Sequence, residues 1–211
     1  MSEPQDEVQK WSIFLPLKHF ALGKSRLSEL TDFNRISLIK AMANDVIHEL
    51  RVCPLIERIT LVGTDHLEVT QFIDVRINSF IPKEPLGINR DVTSALKDES
   101  KIAVLLPDLP ALKHQEISLA LELADQSTTS FIRDFEGSGT TFYACRDREK
   151  FLPNFGAQSA QKHLSTGAIE ITDKLFVGIR RDCDSWADIE AIHRGLLGSS
   201  TQSVVEQQMH S

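Results

Sequence analysis

Aspartates at two distant points of the chain are the residues whose type and position best suit chemistry. Asp108 follows the apolar run at 102–106 and lies between Pro107 and Pro110. The run predicts a buried strand of a parallel sheet, and the prolines end it because they lack an N–H. Ligands bind beyond the carboxyl ends of such strands, so this carboxylate could hold magnesium against phosphate oxygens. An Asx turn before the next helix is the alternative.

The second group is Asp182 and Asp184, which follow an expected last strand at 175–179. Residues two apart on an extended segment point to the same side. If this strand lies near the central one, the two carboxylates and Asp108 converge at one sheet edge. That arrangement suits two divalent ions that clamp an in-line displacement at phosphorus. In the alternative interpretation, Asp184 is a helix N-cap and Asp182 is a surface charge.

A basic loop follows the first expected strand and carries Lys18, Lys24 and Arg26. A cation 4 Å from a phosphate oxygen contributes roughly 4 kcal/mol of gross attraction at an effective dielectric of 20, so three could hold a triphosphate. A solvated loop is the alternative. Gly23-Lys24-Ser25 looks like the end of a Walker A motif, but Lys18 stands where that motif needs its first glycine, which excludes a P-loop.

A third group of candidate residues comes from two segments, the expected turn at 138–141 and the segment 155–163. Gly156 permits close backbone approach, and Ser159 with the amides at a helix start would favour an anion. Lys162 and His163 add positive or titratable groups. The alternative is a turn followed by a capped helix.

The elements that must position these residues alternate between strand and helix. This alternation predicts a mostly parallel α/β sheet, and the strand pair at 128–145 predicts a mixed edge. Strands are expected at 12–17, 58–63, 75–79, 102–106, 128–133, 141–145 and 175–179. Helices are expected at 34–50, 65–72, 90–98, 114–124, 158–166 and from Asp184 or Ser185 through 196.

Composition predicts one soluble globular domain. The chain has 211 residues, of which 41% are hydrophobic and 25% are charged. The net charge of −7 argues against nucleic acid and anionic membranes as partners. Three widely spaced cysteines, with no signal peptide and no membrane-spanning run, predict a reduced cytoplasmic protein. We expect a disordered N-terminus at 1–10, a single domain at 11–197, and a frayed tail or weak final helix at 198–211.

Six short segments follow one another in chain order over nearly the whole sequence. They are Leu15-Pro-Leu-Lys18 with Gly23-Lys-Ser-Arg-Leu27, Leu86-Gly-Ile-Asn89, Pro107-Asp-Leu-Pro110, Gly139-Thr-Thr141, Phe155-Gly-x-x-Ser159-x-x-x-His163 and Asp182-Cys-Asp184. Together they resemble motifs of the CofC/FbiD guanylyltransferases. The sequence departs from the family pattern at Ile88, Arg90-Asp91, Pro107 and Cys183.

The resemblance implies a MobA-like nucleotidyltransferase fold, which is a Rossmann-like three-layer α/β/α sandwich. It implies transfer of GMP from GTP to 2-phospho-L-lactate, phosphoenolpyruvate or 3-phosphoglycerate, with release of pyrophosphate, in coenzyme F-420 biosynthesis. The implied partners are GTP and a small phosphorylated acid, the implied cofactor is Mg²⁺, and a homodimer is left open.

The resemblance also assigns roles to residues. Asp108, Lys24 and Arg26 would be catalytic. Metal would be held by Asp108, Asp182 and Asp184, the acceptor acid by Thr140, Thr141, Gly156 and Ser159, and the nucleotide by Lys18, Lys24, Arg26 and Asn89.

Two alternative functions remain. Other MobA-like nucleotidyltransferases, which act on sugar phosphates or molybdopterin, usually open with a glycine-rich loop, and here only Gly23 is present. A nucleotide-binding protein without catalysis would have no need of three metal-binding carboxylates.

Overall fold

One mixed sheet forms the centre of the computed structural model, which describes residues 9–17, 31–63, 72 and 74–209. Its strand order is β3-β2-β1-β4-β6-β5-β7. β6 runs antiparallel to both of its neighbours, and the other pairings are parallel. The strands are β1 (Trp11–Leu17), β2 (Ile56–Gly63), β3 (Ile77–Phe80), β4 (Ile102–Leu105), β5 (Thr129–Arg133), β6 (Thr140–Cys145) and β7 (Ile169–Glu170). The predicted mostly parallel α/β sheet is confirmed, but its antiparallel strand is interior rather than at the edge.

Helices cover both faces of this sheet. Thr31 begins the first of them, since its side chain accepts a hydrogen bond from the Asn34 N–H at 3.3 Å. The expected helix at 65–72 lies almost wholly outside the described residues. The helices are α1 (Asp32–Val52), α2 (Ile88–Ala95), α3 (His114–Ala124), α4 (Ser159–Ser165), α5 (Trp186–Ala191) and α6 (Ser199–Met209). None of the described helices is long and apolar enough to cross a membrane.

The alternation of side chains along β1 divides the core between the two faces. Ile13 and Leu15 pack in one cluster with residues of α1 and α3. Phe14 points the other way and packs in a second cluster with Val92 of α2 and Ala160 of α4. Because both faces are covered, every residue of β1 is buried, which explains its almost continuous apolar sequence. The three-layer α/β/α architecture is therefore present.

The expected strand at 175–179 was wrong. These residues form turns, and the last described strand is β7, which pairs in parallel with β5. The pattern looks like a strand because exposed Val177 lies between buried Phe176 and Gly178. The amides of Val177 and Gly178, however, donate to the Glu116 carboxylate at 2.6 and 2.8 Å instead of to a neighbouring strand.

The C-terminal residues 199–209 form a regular helix, so the weak-helix alternative describes them better than a frayed tail. α6 packs against α1, with Thr201 and Val205 buried. Asp45 of α1 accepts hydrogen bonds from the N–H groups of Ser200 and Thr201 at 2.9 and 2.8 Å. A carboxylate of α1 thus caps the N-terminus of α6, the last helix of the chain.

Candidate active site

The loop after β4 carries Asp108 and is held by the C-terminal part of the chain. The Asp108 carbonyl accepts a hydrogen bond from the Cys183 N–H at 3.0 Å, and the Pro110 carbonyl accepts one from the Gly198 N–H at 2.7 Å. Gly178 lies so close that a Cβ there would stand 2.0 Å from the Ala111 carbonyl oxygen. The structure therefore fixes this loop to residues 178–198 through backbone groups.

The Asp108–Cys183 bond brings the predicted metal-binding aspartates onto neighbouring segments. Asp182 and Asp184 flank Cys183 on either side, and all three aspartates are partly buried. In residues 9–17, 31–63 and 74–209 no group of three or more His, Cys, Asp or Glu side chains is arranged to hold a metal ion. The structure thus joins the segments, and metal binding by these carboxylates stays a prediction.

Asp184 is not the cap of the helix that follows it. Ser185 is the N-cap of α5, because its Oγ accepts from the Asp188 N–H at 3.3 Å. The Asp188 carboxylate accepts in return from the Ser185 N–H at 2.7 Å. This capping box removes the alternative interpretation of Asp184 as an N-cap.

Thr140 is placed by a β-bulge at the start of β6. Arg133 pairs with Thr140 and Ile132 pairs with Phe142, so Thr141 is the extra residue. Without the bulge, Thr140 would share a face with Phe142; instead its Oγ1 lies 3.0 Å from the Nδ1 of His163. Thr141 is fully buried, and its Oγ1 has no hydrogen-bond partner among the described residues.

His163 is a neutral histidine enclosed by aromatic rings. It is 0% exposed, stacks on Tyr143 at 4.6 Å and packs beside Phe131 and Phe155. Burial lowers the pKa of His163 to about 4. The Asn154 N–H donates to Nε2 at 2.9 Å, so the proton resides on Nδ1, which donates to Thr140. The ring thereby links β6 to the chain at 154.

The turn at 154–158 brings Gly156 and Ser159 next to Thr140. Gly156 has φ +116°, a backbone conformation that is strained for any residue with a side chain. The Ser159 N–H donates to the Gly156 carbonyl at 3.1 Å, and the Ala160 N–H donates to the Ser138 carbonyl at 3.2 Å. Together with the His163 link, these bonds gather the predicted acceptor residues into one region, although their contact with an acceptor stays a prediction.

Asn89 lies at the start of α2, and its side chain contacts the same turn. Its amide nitrogen donates to the Phe155 carbonyl at 3.1 Å, and its amide oxygen accepts from the Phe155 N–H at 2.8 Å. The predicted nucleotide contact of Asn89 is not tested by these bonds. The predicted phosphate-binding residues Lys18, Lys24 and Arg26 lie outside the described residues.

Sequence reasoning missed two side chains that support the region. Glu116 binds the amides of Val177 and Gly178, and desolvation by burial raises the pKa of Glu116 against the lowering effect of those amides. Arg180 donates to the carbonyl oxygens of Arg133 and Asp134 at 3.3 and 3.0 Å. Glu116 stands three residues after the cap Lys113, where a capping glutamate is typical, but nothing in that pattern indicates its distant partners.

Several solved structures have a similar fold. A candidate nucleotide-diphospho-sugar transferase from Desulfovibrio desulfuricans G20 has a TM-score of 0.72 at 13% identity, over 95% of each chain. CMP:2-keto-3-deoxy-manno-octonic acid synthetase with CTP has 0.58 at 10%, over 94% of this chain and 99% of that one. Rv0371c of Mycobacterium tuberculosis H37Rv in complex with manganese has 0.56 at 14%, over 90% and 98%. Identities this low show the fold alone.

Sequence comparison is more specific. A phosphoenolpyruvate guanylyltransferase from Streptosporangium roseum is 31% identical, over 97% of this chain and 94% of the relative. One from Streptomyces coelicolor is 30% identical, over 92% and 95%. The sequence model of the family described as "Guanylyl transferase CofC like" matches residues 11–177, a span that includes Asp108, Thr140 and Ser159 and ends before Asp182. The chain therefore belongs to the CofC-like guanylyl transferase family and is a nucleotidyltransferase.

Proposed function

We propose that this protein transfers GMP from GTP to a small phosphorylated acid and releases pyrophosphate, as a step of coenzyme F-420 biosynthesis in the cytoplasm. Relatives named phosphoenolpyruvate guanylyltransferase make phosphoenolpyruvate the first acceptor to test, with 2-phospho-L-lactate and 3-phosphoglycerate as alternatives. The observation that carries the proposal is the bond between the Cys183 N–H and the Asp108 carbonyl, because it joins the aspartate segments at the carboxyl end of β4.

In this reaction a phosphate oxygen of the acceptor attacks the α-phosphorus of GTP. The new bond joins that oxygen to the α-phosphorus, and the bond between the α-phosphorus and the bridging oxygen of pyrophosphate breaks. The attacking oxygen is already ionised at pH 7, so a strong general base is unnecessary. The protein then acts chiefly by positioning the substrates and offsetting their charge.

The proposed roles are those that the resemblance to the family implies. Thr140, Thr141, Gly156 and Ser159 hold the acceptor, and Lys18, Lys24 and Arg26 hold the phosphates of GTP. The nucleoside lies beside the start of α2, which carries Asn89. The acceptor and triphosphate roles assign polyanionic groups to cationic side chains, hydroxyls or backbone amides.

A divalent metal fits the donor set of Asp108, Asp182 and Asp184, since carboxylate oxygens are the ligands that magnesium prefers. The manganese complex of a protein with the same fold supports a divalent ion. When bound, the ion supplies neutralisation of the phosphate charge. The aspartates themselves would hold it beyond the carboxyl end of β4, where the Leu106 N–H donates to the Thr141 carbonyl at 2.9 Å and the acceptor residues begin.

Pyrophosphate release tests the proposal directly. The purified protein with magnesium is given GTP, ATP or CTP together with each of the three phospho-acids, a sugar 1-phosphate or molybdopterin. We expect release only with GTP and one of the phospho-acids. Pyrophosphate release that occurs only when the acceptor is a sugar 1-phosphate or molybdopterin would establish the alternative nucleotidyltransferase. GTP binding without release for any acceptor would favour a binding protein.

Asp108→Asn should lower kcat on the order of 10²-fold or more, because it removes a charge that the transition state requires. The fold should persist, since the bond to Cys183 uses the backbone carbonyl of residue 108. Exposed Asp98→Asn is the matched control and should keep wild-type turnover. Near-normal turnover of the Asp108 variant across a magnesium titration would contradict the assignment.

A further inference from the structure

Two buried or partly buried side chains from separate parts of the chain hold the turn at 154–156. Asn89 makes two hydrogen bonds to the backbone of Phe155, one to its carbonyl and one from its N–H. His163 accepts from the N–H of Asn154. The N–H of Asn154 and both the N–H and the carbonyl of Phe155 are thereby bound by side chains, in a segment that belongs to no strand or helix.

The chemistry of both contacts is specific. The Asn89 amide presents one donor and one acceptor side by side, which matches the N–H and C=O of a single residue. Aspartate at this position would keep the acceptor and lose the donor, and alanine would lose both. His163 uses one ring nitrogen as an acceptor and the other as a donor, which only the neutral ring can do.

These contacts meet where the acceptor is proposed to bind. His163 connects Asn154 to the hydroxyl of Thr140, and Asn89 secures Phe155, the residue directly before Gly156. Asn89 itself lies in the first turn of α2, directly after the N-cap Gly87, and this helix start is proposed to lie beside the nucleoside. The two side chains therefore set the distance between Thr140, Gly156 and the nucleotide side of the site.

We propose that Asn89 and His163 are positioning residues that hold the acceptor-binding turn against Thr140. Neither needs to touch the acceptor; both act through the backbone at 154–156. This inference rests on the proposed function of that turn. It differs from a direct nucleotide contact of Asn89, which would affect GTP instead of the acceptor.

Steady-state kinetics separate these possibilities. Asn89→Ala and His163→Phe should each lower kcat/KM for the acceptor about tenfold, the effect of losing one or two hydrogen bonds, while the KM for GTP stays within twofold. Asn89→Asp should lie between Asn89→Ala and wild type. His163→Gln, which can both donate and accept, should recover part of the loss. Exposed Asn78→Ala is the matched control and should match wild type.

The double variant Asn89→Ala/His163→Phe gives a second, independent measure. Because both side chains act on one turn, the combined loss in kcat/KM for the acceptor should be smaller than the product of the single losses. A rise in the KM for GTP alone would overturn the inference in favour of a nucleotide contact. If kcat/KM falls equally for both substrates and the unfolding midpoint falls as well, the variants are generally destabilised and the inference is overturned.

Amide hydrogen exchange keeps the inference testable if no acceptor supports turnover. In Asn89→Ala the Phe155 amide should exchange faster than in wild type, while strand amides of β1 keep their protection. If exchange is faster but the protein transfers no nucleotide, Asn89 does hold the turn in place, and only the enzymatic role of the turn is rejected. Unchanged exchange together with an unchanged acceptor constant would reject the positioning role in an active enzyme.

Discussion

At the scale of single residues, the buried polar groups around β6 determine how this region responds to pH. Among the described residues, Tyr143 is the titratable side chain that packs against His163. The other contacts of His163 are the rings of Phe131 and Phe155, the Thr140 hydroxyl, the Asn154 N–H and the backbone of Ser159, whose hydrogen bond raises the His163 pKa less than burial lowers it. Burial raises the pKa of Tyr143 to about 12, so that phenol stays neutral. His163 is therefore the group in this cluster that responds to acid.

Acid should destabilise the protein through His163. Its pKa is about 4 in the folded protein and 6.5 ordinarily, so below pH 6.5 the unfolded chain takes up a proton that the folded chain does not. The stabilisation is complete above pH 6.5 and is lost as the pH falls towards 4, by on the order of 3 kcal/mol. Urea unfolding between pH 7.5 and 4.5 measures it. His163→Phe should lack this part of the pH dependence, and an identical slope would contradict the assignment.

Ser159→Ala should raise the KM for the acceptor several-fold and leave the KM for GTP unchanged, because Ser159 lies in the acceptor region and loses only a hydroxyl. Ser165→Ala, at the far end of the same helix, is the control, since its hydroxyl bonds only within α4. Kinetics with each substrate varied in turn provide the measurement. A weaker interaction with GTP at an unchanged acceptor constant would reverse the site assignment.

At the scale of elements, the segment 176–183 has backbone N–H groups that bond to the carboxylate of Glu116 and not to a neighbouring strand. Glu116 accepts from the N–H groups of Val177, Gly178 and Lys113. Those bonds, with the close contact of Gly178 on Ala111, fix the start of the segment that carries Asp182 and Asp184. α3 therefore positions residues that lie more than sixty positions further along the chain.

Glu116→Ala should destabilise the protein by about 2–3 kcal/mol, since three amide donors lose their acceptor and at least one of them is buried. Turnover should fall as well, because the segment that carries Asp182 loses its attachment. Thermal unfolding and pyrophosphate release measure the two effects. Glu122→Ala on the exposed face of the same helix should change neither. Equal unfolding temperatures and equal turnover of the two variants would show that the Glu116 carboxylate does not stabilise the segment 176–183.

Sequence reasoning succeeded where local pattern determines structure. The apolar run before Asp108 became β4, and the periodic segment at 114–124 became α3 with the predicted bounds. It failed at 175–179, where alternation looked like a strand and a distant carboxylate took the amides. It could not reveal the bonds of Asn89 to Phe155 and of Thr140 to His163, because those depend on tertiary contacts and on a bulge.

At the scale of the whole molecule, the C-terminal helix α6 closes the structure over α1. Gly198 is bonded to the Asp108 loop through Pro110, and the next residues are capped by Asp45. A Cβ at position 198 would lie 2.2 Å from the carboxyl carbon of Asp45, so the approach requires glycine. The loop after β4 is thus connected to the last helix as well as to residue 183.

Asp45→Ala should lower the free energy of unfolding by about 1–2 kcal/mol, since the first turn of α6 loses its cap. Asp32→Ala is the control because the Asp32 side chain is 85% exposed in its ion pair with Arg35, and the substitution should cost less than about 0.5 kcal/mol. Chemical denaturation followed by circular dichroism compares the two variants. Equal stabilities would contradict the capping role of Asp45.

The position of β6 between β4 and β5 has a consequence for synthesis on the ribosome. β5 emerges first, yet its neighbour in the sheet is made afterwards, so a nascent chain that ends near residue 133 leaves the edge of β4 unpaired. Such an edge is a template for joining another chain. A truncated translation product that stops before β6 should therefore aggregate more readily than the full chain, because it lacks the strand that covers this edge of β4 and carries Thr140.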